Sequence, residues 1–352
     1  MSAATTTTES PPRAGRSVPK AFWREALAPY GRPDMKRSLL DVASSIVPYL
    51  ALWWAMYELL AVSYWLVLAV AIPASGFLVR SFIVFHDCAH GNFLPSKRGN
   101  VLLGTLAGLL VFSPFTSWKL DHAAHHASAG DLDRRGAGDV ETLTLAEYVA
   151  LSGRQRLGYR LFRNPLVMFG VGPLWALALE PRLIPFRART RIRRSHIITD
   201  LVLALLVGAL CLLIGWKAFL LVQLPLLLLA GAAGVWLFYV QHQFEDVYWE
   251  RSGEWSYAHA ALQGSSYLKL PQPLQFFTGN IGLHHVHHLS PKIPNYNLQR
   301  AHDENPFLHV APTLSLWDGL KSVRLKVYDE ERGRLATWAQ VRAVRGGTAA
   351  ST

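Results

Sequence analysis

The chain has 352 residues, of which 51% are hydrophobic and 17% are charged. Soluble domains carry roughly 25% charged residues, so this composition favours a membrane protein. The net charge of +11 would also suit nucleic acid, but the long apolar segments described below exclude a nucleic-acid partner and favour a basic face on anionic lipid. Two cysteines, Cys88 and Cys211, are too few for a disulfide framework.

The N-terminal end is rich in Ser, Thr, Pro and Arg and contains no apolar core. A secretory signal peptide needs an apolar stretch of roughly 7–15 residues, so none is predicted here. We predict a disordered or interfacial arm at residues 1–32, one membrane domain at residues 33–326, and a cytoplasmic tail at residues 327–352.

Four apolar segments each approach the roughly 20 residues that cross a bilayer. Very short links join them in pairs and so predict two helical hairpins, residues 42–60 with 62–85 and residues 197–216 with 218–240. Basic residues crowd both ends of the chain and the middle segment, whereas the links carry almost none. The positive-inside rule therefore predicts cytoplasmic termini and outward hairpin tips.

Two further apolar stretches are shorter or interrupted. Residues 101–115 contain Gly104, Gly108 and Pro114, which weaken a straight helix. We expect this stretch to re-enter or to lie at the membrane interface. Residues 165–179 lie between arginines and predict an interfacial helix.

Nine of the 14 histidines fall in three short boxes. The boxes read His86-Asp-Cys-Ala-His90, His122-Ala-Ala-His125-His126 and His284-His285-Val-His287-His288. Residues three and four apart share a helix face, so eight of these imidazoles are expected to converge. Eight exceed the roughly four to six ligands of one ion, which indicates two metal ions. Imidazole suits zinc, copper, iron and nickel, so the ligands alone leave the metal open.

The boxes lie just beyond the ends of the predicted spans, on one side of the membrane. The expected fold is therefore an all-α membrane protein, with four transmembrane helices in two hairpins and a cytoplasmic helical cap that holds a di-metal site. Asp87 is the one carboxylate inside the boxes, and Asp121 precedes the second box. The Glu-x-x-His pairs of soluble di-iron bundles are missing. A neutral-ligand site at a membrane surface favours O2 activation on a lipid over hydrolysis.

The three boxes, with the stretch Leu289-Ser-Pro-Lys-Ile-Pro-Asn-Tyr-Asn-Leu298, resemble those of the membrane fatty acid desaturase family. The likeness is greatest to the bacterial acyl-lipid type (omega-6, or delta-12) and covers about residues 33–326. It implies a ninth ligand in Gln241-His242-Gln243, at the end of the fourth span. The implied cofactor is a pair of iron ions, and the implied catalytic and metal-binding set is His86, His90, His122, His125, His126, His242, His284, His287 and His288.

The resemblance also implies a reaction. In this family O2 and two electrons remove two hydrogens from adjacent methylenes of a lipid-linked fatty acyl chain and leave a cis double bond. The sequence contains neither a dinucleotide-binding GxGxxG after a strand nor the HPGG of a fused cytochrome b5. We therefore expect a separate electron donor, such as a ferredoxin or cytochrome b5, at the basic cytoplasmic face. For a bacterial member, the expected location is the inner membrane, with the active site on the cytoplasmic side.

Several neighbouring residues have more than one interpretation. His285 lies about 100° around the helix from His284 and is expected to pack beside the site rather than to bind metal. Asp87, Asp121 and Asp246 are candidates for orienting imidazole N–H groups, although Asp246 equally suits an exposed charge. Asn280, one turn before His284, suits either a metal-bound water or a helix cap.

Two other functions remain as alternatives. The first is a histidine-box hydroxylase or ketolase acting on an alkane, carotenoid or sphingolipid. The Asn-Tyr-x-Glu-His-Tyr-Gly element of alkane hydroxylases is missing, which counts against that member. The second is a membrane metal transporter or metal sensor. Transporters place polar ligands near mid-membrane, whereas these boxes follow the span ends.

Overall fold

A computed structural model describes residues 22–136 and 140–349. Its α-helices are α1 (Phe22–Leu27), α2 (Met35–Leu59), α3 (Tyr64–His90), α4 (Lys97–Leu110), α5 (Phe115–Ser128), α6 (Leu145–Ala150), α7 (Gly153–Phe162), α8 (Gly172–Leu174), α9 (Thr190–Ile214), α10 (Trp216–His242), α11 (Tyr257–Gln263), α12 (Gln272–Phe277), α13 (His284–Leu289), α14 (Asn295–Glu304), α15 (Leu316–Ser322) and α16 (Trp338–Ala349). The strands are β1 (Tyr267–Lys269), β2 (Thr313–Ser315), β3 (Leu325–Asp329) and β4 (Arg334–Thr337).

Within residues 22–136 and 140–349, four helices are long and apolar enough to cross a membrane, namely α2, α3, α9 and α10. They form the two predicted hairpins, with Gly215 at a φ of 85° as the link of the second. The prediction of four spans is therefore confirmed. Two of these helices continue past their apolar segments, so that α3 ends at His90 and α10 at His242. The span helices themselves thus carry candidate ligands to the membrane boundary.

The stretch 101–115 is not a straight span. Helices α4 and α5 meet at a bend of 100°, between Leu110 and Phe115. Phe115 packs directly on Gly104, where a Cβ atom would overlap its ring. The bend turns the second histidine box back toward the end of α3.

The segment after the second box also lies against a span. Helix α7 and the residues from Val167 to Arg182 meet at a bend of 56°, and π-helical turns flank α8. Pro173 of α8 packs against Gly231 of α10, where no Cβ atom would fit. The predicted interfacial helix is thus a bent segment that packs on the fourth span.

The described residues form two small sheets, one from strands distant in sequence and one from a local hairpin. Strand β1 pairs in parallel with β2, and β3 pairs antiparallel with β4. All five residues of β3 are buried, and its Tyr328 stacks on Trp249. This hairpin was not anticipated from the sequence, because the predicted tail begins at residue 327, inside β3. The limits of the domains remain predictions, and residues 1–21 of the predicted arm lie outside the described chain.

The core has two main parts. One cluster lies among the spans and includes Val84, Phe85 and Leu226. The other lies beneath α11, α13 and α14 and includes Leu262, Val286 and Leu298. The three histidine boxes lie where the ends of α3, α5 and α10 meet α13, at the junction of these clusters.

Candidate metal centre

The first box occupies the last turn of α3. Gly91 caps the helix at a φ of 76°, a left-handed conformation that suits glycine and ends the helix after His90. His86 is buried, and its Nδ1 lies 2.9 Å from Oδ1 of Asp87. A carboxylate there accepts the Nδ1–H and leaves the Nε2 lone pair available to a metal.

The second box forms the last two turns of α5. Trp118 stacks on the ring of His122 at 4.4 Å between centroids. His122 and His126 contact each other through their Nε2 atoms at 3.1 Å. His125 lies one position before His126 and faces another set of residues, since it packs against Phe238 and His242.

The third box is almost the whole of α13 and is completely buried. Asn280 precedes it at a φ of 58°, in the left-handed region. Its side chain donates to the carbonyl of Asn295 at 3.1 Å, so it secures a turn rather than capping α13. Tyr257 donates to the carbonyl of His288 at 2.5 Å and so holds the end of this short helix.

His242 ends α10, as the resemblance predicted. Its Nδ1 lies 3.1 Å from the carbonyl oxygen of Gly264. A carbonyl can only accept, so Nδ1 carries the hydrogen and Nε2 carries the lone pair. That Nε2 lies 2.9 Å from Nε2 of His284.

Five histidines form the first group. Their ligand atoms lie within 4.8 Å of one another, and the members are His86, His90, His122, His126 and His287. Neighbouring rings approach through their Nε2 atoms. The Nε2–Nε2 distance is 3.1 Å between His86 and His287 and 3.0 Å between His287 and His126. It is 3.1 Å between His122 and His90. We call this set the five-histidine group.

Four histidines form the second group, within the same distance limit: His125, His242, His284 and His288. Nε2 of His288 lies 3.1 Å from Nε2 of His284. This four-histidine group is adjacent to the first, because the rings of His126 and His288 stack at 4.2 Å. The arrangement therefore offers two neighbouring metal sites, which are in contact through the stacked rings of His126 and His288.

The donor set fits metal ions. Metal–imidazole bonds are roughly 2.1 Å long, so two nitrogens at right angles on one ion lie about 3.0 Å apart. The Nε2 separations of 2.9–3.1 Å match that spacing. Burial lowers the pKa of His284, His287 and His288 well below the usual value, and the charges of neighbouring imidazoles lower it further. The rings are therefore neutral, as metal binding requires.

All nine predicted ligands come together, and His285 stays apart. Nε2 of His285 lies 3.1 Å from Nδ1 of His302, outside both groups. Asp87 contacts a candidate ligand, whereas Asp246 is exposed. Asp121 lies outside both groups, near Ser117 and His196. His196 is itself buried and bonds with the carbonyl of Pro181.

One contributor was missed at the level of sequence. Asn295 is buried at the start of α14 and donates to Asp87 from both its backbone and its side chain. The available signal was Pro294 directly before it, since proline is favoured at helix starts. Nothing in the sequence indicated that this helix begins beside the first box.

Comparison with known proteins agrees with this geometry. The sequence model of the fatty acid desaturase family matches residues 62–310. The chain is 45% identical over 318 residues to "Fatty acid desaturase" of Bacillus subtilis (strain 168), across 90% of each chain. It is 30% identical to "sn-1 oleoyl-lipid 12-desaturase" of Synechocystis sp., across 73% of this chain and 74% of the relative.

A plant relative is more distant. "Omega-6 fatty acid desaturase, chloroplastic" of Arabidopsis thaliana is 26% identical, across 85% of this chain and 66% of its own length. The family match covers well over half of the present chain and includes all three boxes and His242. With two largely buried histidine groups able to hold metal at the ends of membrane-spanning helices, the chain belongs to the fatty acid desaturase family, whose members are oxidoreductases.

Proposed function

We propose that this chain is an O2-dependent desaturase that introduces a cis double bond into a lipid-linked fatty acyl chain at a histidine-ligated di-iron centre. The observation that carries the proposal is the pair of adjacent histidine groups at the span ends. Unactivated methylene C–H bonds require a strong oxidant. A bound pair of iron ions would supply that oxidant from O2.

The nine candidate ligands divide between the two ions. One iron would be held by His86, His90, His122, His126 and His287, and the other by His125, His242, His284 and His288. Hydrogen bonds from Nδ1 of His86 to Asp87 and from Nδ1 of His242 to Gly264 orient two of these rings. Such partners keep the ring fixed and make Nε2 a better donor.

An apolar wall next to the five-histidine group suits an acyl chain. Trp118 stacks on His122, and Phe85 packs against Trp118 at 4.9 Å and against Phe115 at 5.6 Å. Binding energy along the chain would determine which pair of carbons lies at the irons. Two of the relatives are named for lipid-linked or omega-6 desaturation, which supports a substrate of that class here.

The reaction needs electrons from outside the chain. Removing two hydrogens from the acyl chain supplies two electrons and two protons, and O2 needs four of each to become two molecules of water. The remaining two electrons come from an external one-electron carrier, with two protons from solvent. The basic regions of the chain suit an acidic donor such as a ferredoxin, with a cytochrome b5 as the other candidate.

The orientation follows from charge. We place the irons on the cytoplasmic side, in the inner membrane of a bacterium, because the arginine-rich segment around the start of α9 lies on the same side as the boxes. Arg187, Arg189, Arg191, Arg193 and Arg194 are all exposed there. Positive residues at that density are retained on the cytoplasmic side during insertion.

The proposal is tested by lipid analysis of a host that expresses the chain. Double bonds are located by mass spectrometry in each lipid class, with a His284→Ala chain as the matched control. A new double bond that depends on His284 is expected. A hydroxyl or keto group in place of the double bond would identify the histidine-box hydroxylase or ketolase instead. Unchanged lipids, in a host with a matching electron donor, would contradict the proposal.

A further inference from the structure

Asp87 makes different contacts through its two oxygens. Oδ1 lies 2.9 Å from Nδ1 of His86. Oδ2 accepts from the backbone N–H of Asn295 at 2.7 Å and from its side-chain amide at 3.0 Å. Asp87 and Asn295 are both buried. The carboxylate is therefore clamped between a candidate ligand and the first residue of α14.

The Asn295 amide extends this network into the first hairpin. Its nitrogen also donates to Oδ2 of Asp41 at 2.7 Å, so the two amide hydrogens are directed to two different carboxylates. Asp41 forms an ion pair with Arg80, which also donates to the carbonyl of Phe276. The chain of contacts runs from His86 through Asp87, Asn295 and Asp41 to Arg80.

The two carboxylates in this series of contacts, Asp41 and Asp87, differ in their charged partners. Asp41 has Arg80 as its cation, whereas no Lys or Arg of the described residues forms an ion pair with Asp87. A buried carboxylate without a cation is costly unless hydrogen bonds and a nearby positive charge stabilise it. The partner on its other side is His86, whose Nε2 belongs to the five-histidine group. A metal ion bound there would provide the missing positive charge through the ring.

We propose that Asn295 is a positioning residue of the five-histidine group. Its amide fixes the carboxylate of Asp87, which in turn fixes the orientation and the tautomer of His86, and it ties both to the Asp41–Arg80 pair of the first hairpin. This role rests on the metal centre of the proposed function. It requires an amide, because an oxygen in place of Nδ2 would remove both donors and place a third carboxylate between two others.

The test compares three variants of the iron-loaded full chain. Asn295→Asp keeps the size of the side chain and removes the two side-chain N–H donors, and Asn295→Ala removes the side chain without adding charge; the backbone donor to Asp87 remains in both. Asn297→Ala is the matched control, since Asn297 is also buried in α14 and makes two side-chain contacts, with Tyr30 and Arg37. Those contacts are not part of the hydrogen-bonded series that connects Arg80 to His86.

Iron per chain is measured by elemental analysis across a series of chelator concentrations, with the midpoint of thermal unfolding as a second measurement. Loss of an outer hydrogen-bond partner typically weakens metal binding by roughly 10–100-fold. We expect Asn295→Asp and Asn295→Ala to lose one of the two irons at a chelator concentration roughly 10–100-fold lower than wild type requires. The second iron, held by the four-histidine group, should be retained as in wild type. Asn297→Ala should release iron as wild type does, whatever its effect on unfolding.

The outcomes separate this role from the proposed function. A wild-type chain that holds no metal overturns the di-iron centre and this role together. A wild-type chain with two irons, beside Asn295 variants that retain both at the same chelator concentration, overturns the role of Asn295 alone. If Asn295→Asp does not fold, Asn295→Ala decides, because it adds no buried charge. Equal iron loss from Asn297→Ala would make the effect one of helix stability and would also overturn the role.

Discussion

The Nε2 atoms of His126 and His287 lie 3.0 Å apart, although 161 residues separate the two histidines in the chain. Both are buried, and the pKa of His287 is lowered mainly by burial. Two neutral imidazoles whose Nε2 atoms both carry lone pairs repel each other at this distance unless a cation lies between them. The folded arrangement is thus suited to a metal ion bound between the two rings.

Metal content is the first prediction. Purified protein should contain about two iron ions per chain, since two groups of imidazoles each form one site. Removal of iron should lower the midpoint of thermal unfolding, because a ligand that binds only the folded state stabilises it. Elemental analysis and thermal unfolding in the same detergent measure both effects. A fully active protein that retains no iron would contradict the assignment.

The second prediction compares two buried histidines. His242→Ala should abolish desaturation and reduce iron toward one per chain, because its Nε2 lies 2.9 Å from that of His284. His285→Ala should retain measurable activity and nearly full iron, because His285 contacts His302 outside both groups. Activity and iron are measured in membranes with equal amounts of each variant. An active His242→Ala beside an inactive, iron-poor His285→Ala would reverse the assignment.

The third prediction concerns the bend between α4 and α5. Gly104→Val should displace Phe115, since no Cβ atom fits between them. Overpacking of this kind costs roughly 1–3 kcal/mol, and here it would also shift the helix that carries the second box. Gly208→Val is the matched control, because open space surrounds Gly208 in α9. Iron content should fall in the first variant only, and equal iron in both would show that the bend does not position the site.

The fourth prediction concerns pH. The folded chain keeps His284, His287 and His288 neutral at pH values where the unfolded chain, with a pKa near 6.5, is protonated. The unfolded state then binds more protons, so the stability of iron-free protein is complete above about pH 6.5 and decreases as pH falls. The slope is at most about 1.4 kcal/mol per pH unit for each imidazole. Thermal midpoints between pH 5 and 8 test this, and His288→Gln should show a shallower dependence.

The fifth prediction is the membrane orientation. In a chain with Cys211 replaced by Ala, single cysteines at Lys97 and Lys292 should react with a membrane-impermeant thiol reagent only from the cytoplasm. A cysteine at Lys217, in the first turn of α10 beside the Gly215 link, should react only from outside. All three lysines are exposed, and Cys88 is buried. Labelling of Lys97 and Lys292 from opposite sides would separate the first and third boxes and remove the shared site.

The sequence predicts the spans well because their signal is local. Some twenty apolar residues in a row specify a helix that crosses a bilayer, whatever surrounds it. The four span helices accordingly lie where hydropathy predicts them, and their polar extensions to His90 and His242 continue because no helix breaker intervenes. The spacing within each box likewise predicts which histidines share a helix face.

The division of those histidines between two groups was not readable from spacing. His287 and His288 are neighbours in α13, yet they belong to different groups, as do His125 and His126 in α5. A helix face is broad enough to direct adjacent side chains to either of two ions. Which ion each one reaches depends on how α5 crosses α13, and that crossing is determined by the packing of distant residues, including Phe115 on Gly104.

Long-range contacts account for the structural features that the sequence did not predict. The sequence by itself determined that this is a membrane protein with histidine boxes at the ends of its spans, because hydropathy and helical spacing are local properties. Only the tertiary structure brought Asn295 to Asp87 across 208 residues and folded the segment from Leu325 to Thr337 into a hairpin. Such contacts depend on which surfaces the folded chain buries together, since each buried polar group must find a partner wherever the fold places one.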